Sequence, residues 1–351
     1  MNRKQFIASA TAASLISFYP KNLEARAALS KIPSIKPKKL TQGDTIALIS
    51  PAGFIEKEEL DESKSKLESF GFKTVAGNNV LNKTGYLAGS DKERADDVNR
   101  AFADENIKAI VCTRGGWGVA RMLDLLDYDI IKRNPKIIIG YSDITALLYG
   151  IFSQTGLVCY HGPVGISTFN DYSSEIFLDI LTKPYSPKYL LCADESDAAT
   201  NKDYERLIIR SGEATGELVG GNLSIVVSMI GTKYDIDLSG KILFLEEVGE
   251  APYRIDRMLT QLIQAKDLKK CSGIALGVFW KCNGGREDSG ITNSFSLQEV
   301  LYDRLFPLKI PVVYGLSFGH IKNKMTLPFG IKAKLNVTEQ SLKLLESTVL
   351  D

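Results

Sequence analysis

Ser142 stands in the run Ile137-Ile138-Ile139-Gly140-Tyr141-Ser142-Asp143-Ile144. Three consecutive isoleucines are too short for a helix and suit a strand buried on both faces. Ile144, Leu147, Leu148 and Ile151 then recur at helical spacing. A serine at so tight a strand-to-helix turn has its hydroxyl lifted out of the sheet. The first N–H groups of the new helix point back toward it. This is the physics of a nucleophile elbow, although Ile144 breaks the G-x-S-x-G spelling. Serine before an amphipathic run is also a routine helix N-cap, so both roles stay open on these residues alone.

A serine hydroxyl needs a base to take its proton and a third group to orient that base. The chain has only two histidines. His320 follows Gly319 just beyond an apolar, strand-like run, an address that suits either a site or a surface loop. His161 precedes Gly162-Pro163 at the end of the strand next to the elbow, where it serves equally well as a base or as a donor pinning a loop. Glu246 ends the run Ile242-Leu243-Phe244-Leu245, and a carboxylate at the mouth of a buried strand is costly unless paired. Glu247 alternates to the other face; the competing reading puts both in a solvated acidic loop with Glu250. Gly115-Gly116-Trp117-Gly118 offers bare backbone N–H groups. With the N–H of Asp143 these suit an oxyanion hole. A phosphate cradle fits less well, since neither G-x-G-x-x-G nor G-x-x-x-x-G-K-[ST] is present.

The surrounding patterns must bring these residues together. Strand-like runs at 45–50, 73–76, 107–113, 137–140 and 157–160 alternate with helical patterns at 56–70, 91–102, 119–126 and from 144 onward. Ser90 is placed to cap the second of these helices. Such alternation predicts an α/β fold with a doubly wound, mostly parallel sheet of Rossmann or flavodoxin type. Sites in such sheets lie at the carboxyl ends of the strands, where the glycine turn, the elbow and His161 all fall. Residues 44–166 are read as this first domain and 28–43 as a lead-in. Residues 167–206, with weak periodicity, Pro184, Pro187 and Asp194-Glu195-Ser196-Asp197, read as a surface connector. A second α/β domain at 207–351 is predicted to supply Glu246 and His320. Its elements are a helix at 224–230, strands at 241–245 and 274–280, a helix at 253–265 and a closing strand at 333–337.

Composition narrows the function. The 351 residues are 44% hydrophobic with a formal net charge of +1 and no charged block, which argues against nucleic acid or an anionic membrane as main partner. Five cysteines include no C-x-x-C pair, so neither a zinc site nor a disulfide framework is suggested. Cys112 and Cys159 read as small buried hydrophobes. At the start, Arg3-Lys4 precede an uncharged stretch from Ala8 to Tyr19 and then Ala25-Arg26-Ala27. That order reads as a signal peptide over 1–27, twin-arginine-like or Sec, giving a periplasmic product without a stable membrane span.

Six motifs then occur in one order: Arg114-Gly115-Gly116-Trp117-Gly118, Gly140-Tyr141-Ser142-Asp143-Ile144-Thr145, His161-Gly162-Pro163, Gly220-Gly221-Asn222-Leu223, Leu243-Phe244-Leu245-Glu246-Glu247 with Tyr253-Arg254-Ile255-Asp256-Arg257, and Gly319-His320. Together they resemble the LD-carboxypeptidase family of serine peptidases, the murein tetrapeptide carboxypeptidases and their microcin-immunity relatives. The resemblance covers the chain from about Lys38 to its end. It implies a triad of Ser142, Glu246 and His320, with an oxyanion hole on the N–H groups of Gly116 and Asp143. It also implies hydrolysis of the amide between an L-centred diamino acid and a terminal D-alanine in a peptidoglycan stem peptide. No metal or organic cofactor is implied. The expected partner is that peptide, with a homodimer left open. Arg114 and Trp117 are candidate substrate contacts, Arg114 either gripping the terminal carboxylate or supporting its loop. Trp117 stands where tyrosine is commoner, and an export signal departs from the cytoplasmic members. Two other functions remain to be separated: an amidase opening peptide–nucleotide antibiotics, and a non-enzymatic exported solute-binding protein.

Overall fold

Short β-branched runs build the first sheet. β1 (Thr45–Ile49), β2 (Lys73–Ala76), β3 (Ile107–Cys112), β4 (Ile137–Gly140) and β5 (Tyr160–His161) lie parallel in the order β5-β4-β3-β1-β2. Ile137, Ile138 and Ile139 are fully buried, as a strand covered on both faces requires. The chain leaves β1 toward β2 on one side and returns to β3 on the other. That reversal opens a crevice at the carboxyl ends of β1 and β3, the usual binding edge of a doubly wound sheet. The helix Asp91–Ala103 starts at a capping box, with Ser90 and Glu93 each accepting the other's backbone N–H. The helix Ile144–Thr155 follows β4 directly and ends at Gly156 in the left-handed region.

The structure, a computed structural model, describes residues 33–193, 201–283 and 294–351. Residues Ser34–Asp351 form one compact unit. The signal-peptide reading over 1–27 and the acidic run Asp194–Asp197 lie outside the described residues. Among the described residues no helix is long and apolar enough to cross a membrane.

The second sheet is mixed. In chain order its strands are β6 (Lys188–Leu191), β7 (Leu207–Arg210), β8 (Glu213–Asn222), β9 (Ile242–Val248), β10 (Gly273–Trp280) and β11 (Val312–Gly319). After β12 (Leu327–Pro328) come β13 (Lys332–Asn336) and β14 (Ser341–Leu344). Their spatial order is β6-β14-β13-β8-β9-β10-β11-β7. The four central strands β8 to β11 are parallel, and the flanking strands antiparallel. β12 does not join this sheet. It returns to the first one and pairs antiparallel with β5, Leu327 opposite His161.

Three sequence expectations need correction. The stretch 167–206 is more than a surface connector: it holds the helix Asp171–Thr182 and β6, the edge strand of the second sheet. The segment after the glycine turn is a 3₁₀ helix, Val119–Leu125, whose tighter turn leaves Met122 and Leu123 buried. The strand at Lys332–Asn336 does not close the fold, since β14 follows and pairs with it.

Candidate active site

Ser142 has φ +66, in the left-handed region where a residue with a Cβ is strained by about 1–2 kcal/mol. Its hydroxyl caps nothing: the N-cap of the following helix is Asp143, which itself makes no side-chain cap. The serine is therefore held in a strained turn by its surroundings, and its hydroxyl has no hydrogen-bond partner among the described residues. Gly115 lies hard against it. A methyl group there would sit 2.7 Å from Ser142 Cβ and 2.9 Å from Oγ, so only glycine lets the loop approach this closely.

That loop is tied down by side chains around it. Asp143 Oδ2 accepts from Val119 N at 2.9 Å, joining the elbow to the residue after Gly118. The buried Arg94 donates through Nη1 to Pro51 O at 2.6 Å and to Gly118 O at 3.0 Å, bracketing the β1 turn and the glycine loop together. Gly53 N donates to Gly115 O at 3.2 Å. Arg114 Nη1 donates to Phe54 O at 3.1 Å, so its guanidinium is turned onto the neighbouring turn and supports the loop. The indole of Trp117 is 63% exposed and packs edge-on against Tyr86, itself exposed, 5.9 Å between ring centres. The N–H groups of Gly116 and Asp143 have no acceptor among the described residues.

From the second sheet come Glu246 and His320. Glu246 is the fifth residue of β9 and is fully buried. Its Oε2 lies 2.7 Å from His320 Nδ1. Burial alone would raise this carboxyl, but the charge and hydrogen bond of His320 outweigh it and hold it below its usual value. Gly319, at φ +113, brings the imidazole in: a Cβ there would come within 3.0 Å of Glu246 Cβ. The His320 ring then lies edge-on to Tyr141, the residue before Ser142, 4.8 Å between centres. No hydrogen bond joins Ser142 to His320. Such bonds are commonly long until substrate is present.

Glu247 is also buried, so the pair is no solvated loop. Its Oε1 accepts from Asn222 Nδ2 at 3.0 Å, and its Oε2 from Ser224 N and Oγ at 2.9 and 2.6 Å. Glu247 thus pins the start of the helix Leu223–Met229 to β9, while Glu246 faces the histidine. Asn222 N in turn donates to Thr145 Oγ1 at 3.1 Å, tying β8 to the elbow helix. His161 lies in β5, fully enclosed by Tyr141, Phe244 and Phe318. Neither ring nitrogen has a hydrogen-bond partner among the described residues, and burial lowers its pKa to about 4. It is a neutral packing residue, neither the base nor a loop-pinning donor.

Asp143 sets a pH dependence of stability. Burial raises its carboxyl to about 6, against the opposing pull of the Val119 N–H and Arg94. A folded value above the ordinary 3.8 means folding favours the protonated acid. Its stabilisation is complete below about pH 4 and is lost as pH rises through 6, a swing of about 3 kcal/mol. His161 works in reverse, losing stability as pH falls from 6.5 toward 4. Only a difference measurement separates them. Asp143→Asn keeps an acceptor for Val119 and does not titrate. Urea denaturation is expected to show its stability relative to the parent rising by about 2–3 kcal/mol between about pH 4.5 and about pH 8. A gap that stays constant with pH would mean that Asp143 ionises as freely as in water.

Comparison with known proteins decides the family. Residues 46–162 match the model of the LD-carboxypeptidase N-terminal domain, and residues 215–335 that of the C-terminal domain. The chain belongs to the LD-carboxypeptidase family. Like other members of that family it is a serine carboxypeptidase, which sets aside a non-enzymatic solute-binding protein. A relative named probable murein peptide carboxypeptidase from Bacillus subtilis is 37% identical over 307 residues, 87% of this chain and 93% of that protein. The murein tetrapeptide carboxypeptidase of Pseudomonas aeruginosa is 32% identical, covering 83% and 92%. The microcin C7 self-immunity protein of Escherichia coli is 33% identical, covering 88% and 94%. Among solved structures, an immunity-like protein from Bacillus anthracis superposes with a TM-score of 0.78 at 32% identity, over 89% of this chain and all of that one.

Within this LD-carboxypeptidase, three residues at the site went unmarked by the sequence. Arg94 sits in a charged helix among Lys92, Glu93 and Asp96 and carries no local sign of burial. Asn222 belongs to the Gly220-Gly221-Asn222-Leu223 motif, and its place at the end of a strand, just before an apolar helix, is the signal of a cap. Lys324 lies in Lys322-Asn323-Lys324, which reads as solvated loop.

Proposed function

We propose that this enzyme removes the C-terminal D-alanine from peptidoglycan stem tetrapeptides through an acyl-enzyme on Ser142. The observation that carries the reading is the 2.7 Å contact of the buried Glu246 with His320 Nδ1, the imidazole packed on Tyr141 next to a serine in a left-handed turn. Because the carboxylate accepts, Nδ1 carries the proton and Nε2 is left as an acceptor. In this reading His320 Nε2 takes the Ser142 proton as Oγ attacks the scissile carbonyl. The oxyanion is met by the N–H groups of Gly116 and Asp143. His320 then gives the proton to the leaving amine, the C–N bond breaks and D-alanine departs. Water, deprotonated by the same imidazole, cleaves the ester and restores Ser142. Glu246 holds the tautomer and offsets the imidazolium charge. The murein carboxypeptidase relatives support the choice of substrate, and the basic and apolar N-terminal stretch supports action in the cell envelope.

The test is mass spectrometry after mixing the protein with murein tri-, tetra- and pentapeptides, together with a peptidyl-sulfamoyl nucleotide. Loss of one alanine from the tetrapeptide alone is expected. Cleavage of the nucleotide conjugate with the tetrapeptide left intact would instead favour an antibiotic-opening amidase, the activity class suggested by the microcin relative. Recovery of the chain from the cytosolic fraction with Met1 still in place would rule out export.

A further inference from the structure

A carboxypeptidase must recognise a free terminal carboxylate, and Arg114 turns Nη1 onto Phe54 O. The cavity beside His320, of about 470 Å³, holds another cation. It is lined by Thr168, Tyr204, Trp280, His320, Lys322 and Lys324, among others. Lys324 is only 7% exposed, yet among the described residues its ammonium has no hydrogen bond and no ion pair. It sits 5.6 Å from the ring centre of Tyr141, the same ring that His320 packs against. An enclosed ammonium without a counter-charge is expensive, and burial draws its pKa down to about 8 despite the pull of Glu246. Lys322, by contrast, is exposed, where a charge contributes little.

The backbone around Lys324 is fixed. Its N–H donates to Ser173 Oγ at 2.8 Å, Ser173 Oγ donates to Lys322 O at 3.1 Å, and Met325 N donates to Ser317 O at 2.7 Å. The loop that carries Lys324 is thus fixed and its side chain buried beside the cavity, an arrangement that favours a selective charge contact.

We infer that Lys324 is the counter-ion for the terminal α-carboxylate of the peptide, and so the residue that makes the enzyme a carboxypeptidase. The inference rests on the acyl-transfer reading above. If His320 protonates the leaving amine, the leaving residue lies on the His320 side of the elbow, and its carboxylate is two bonds from that nitrogen. Among the described residues, Lys324 is the buried cation lining the cavity beside His320.

The experiment compares kcat/KM on a murein tetrapeptide ending in free D-alanine with that on its C-terminal amide. The proteins are the parent, Lys324→Met, Lys324→Gln and Lys324→Arg. Loss of a charge-assisted contact corresponds to about a tenfold to hundredfold fall in the acid-over-amide preference. That fall is expected in the Met and Gln variants, with partial recovery in Arg. Labelling of Ser142 by a fluorophosphonate certifies that each variant compared is folded. Equal losses on acid and amide, in whichever of Met or Gln labels, would overturn the inference. No turnover of either peptide by the parent counts against the stem-peptide reading instead. Lys324 is then judged by calorimetry, comparing Ser142→Ala with Ser142→Ala/Lys324→Met. A tighter grip on acid than on amide that disappears with Lys324 supports the inference, and equal affinities overturn it.

Discussion

Ser142→Ala is expected to lower kcat/KM on the murein tetrapeptide by about 10⁴- to 10⁶-fold, the range found when the nucleophile of a serine triad is removed. The residual rate would come from substrate binding and from the N–H groups of Gly116 and Asp143, which the substitution leaves in place. Alanine does not relieve the turn, since it has the same Cβ at φ +66. Stability should therefore change little, and the protein should bind substrate without turning it over. Steady-state kinetics with fluorophosphonate labelling checks this: both signals should vanish together while the urea midpoint stays put. Retention of more than about a hundredth of the parent rate, set against that expected range, would mean that Ser142 only shapes the turn.

The second large effect is expected at Glu246. Replacement by glutamine keeps size and one acceptor, but removes the charge and offers an amide N–H₂ to His320 Nδ1. The imidazole is then free to place its proton on Nε2, the wrong side for accepting from Ser142. A fall in kcat of about 10³- to 10⁴-fold is expected, as for an orienting carboxylate in other triads. Because the imidazole can stay neutral beside glutamine, no uncompensated charge is left buried, and folding stability should suffer less than activity. Groups acting as one unit are not additive, so Ser142→Ala/Glu246→Gln should be no slower than Ser142→Ala alone. A variant with near-parent kcat and lowered stability would reduce Glu246 to a structural partner of His320.

What the sequence could reveal follows from the range of the interactions involved. The isoleucine run, the helical spacing after Asp143 and the cap at Ser90 are local, and each announces its element within a few residues. Glu246 and His320 were legible as candidates because each breaks a strongly apolar strand pattern at its end. Their 2.7 Å contact was not, since it joins residues 74 apart and depends on which face of β9 looks at β11. The Asp143–Val119 and Arg94–Gly118 bonds are hidden for the same reason: a side chain meets a backbone atom far along the chain. The edge strand β6 was masked by Pro184 and Pro187, although Lys188 and Leu190 do alternate inward. Lys324 was the least legible, because only the tertiary packing of the helix Asp171–Thr182 against its loop buries a residue that looks solvated.

The crossing of the chain from β11 to β12 has a consequence for how the protein can be divided. Seven residues, 320–326, run from the second sheet to the first, and β12 then seals the outer edge of β5. A fragment ending near Pro184 would keep the nucleophile turn but leave that edge bare, with unpaired N–H and C=O groups ready to join another copy. Such a half is a candidate for aggregation rather than for a dormant module awaiting its complement. Insertions within 321–326 would leave His320 at the end of β11 but displace Lys324 and the docking of β12 onto β5. The two halves are therefore expected to travel through recombination as one piece, with length changes tolerated in surface loops but not in this strap.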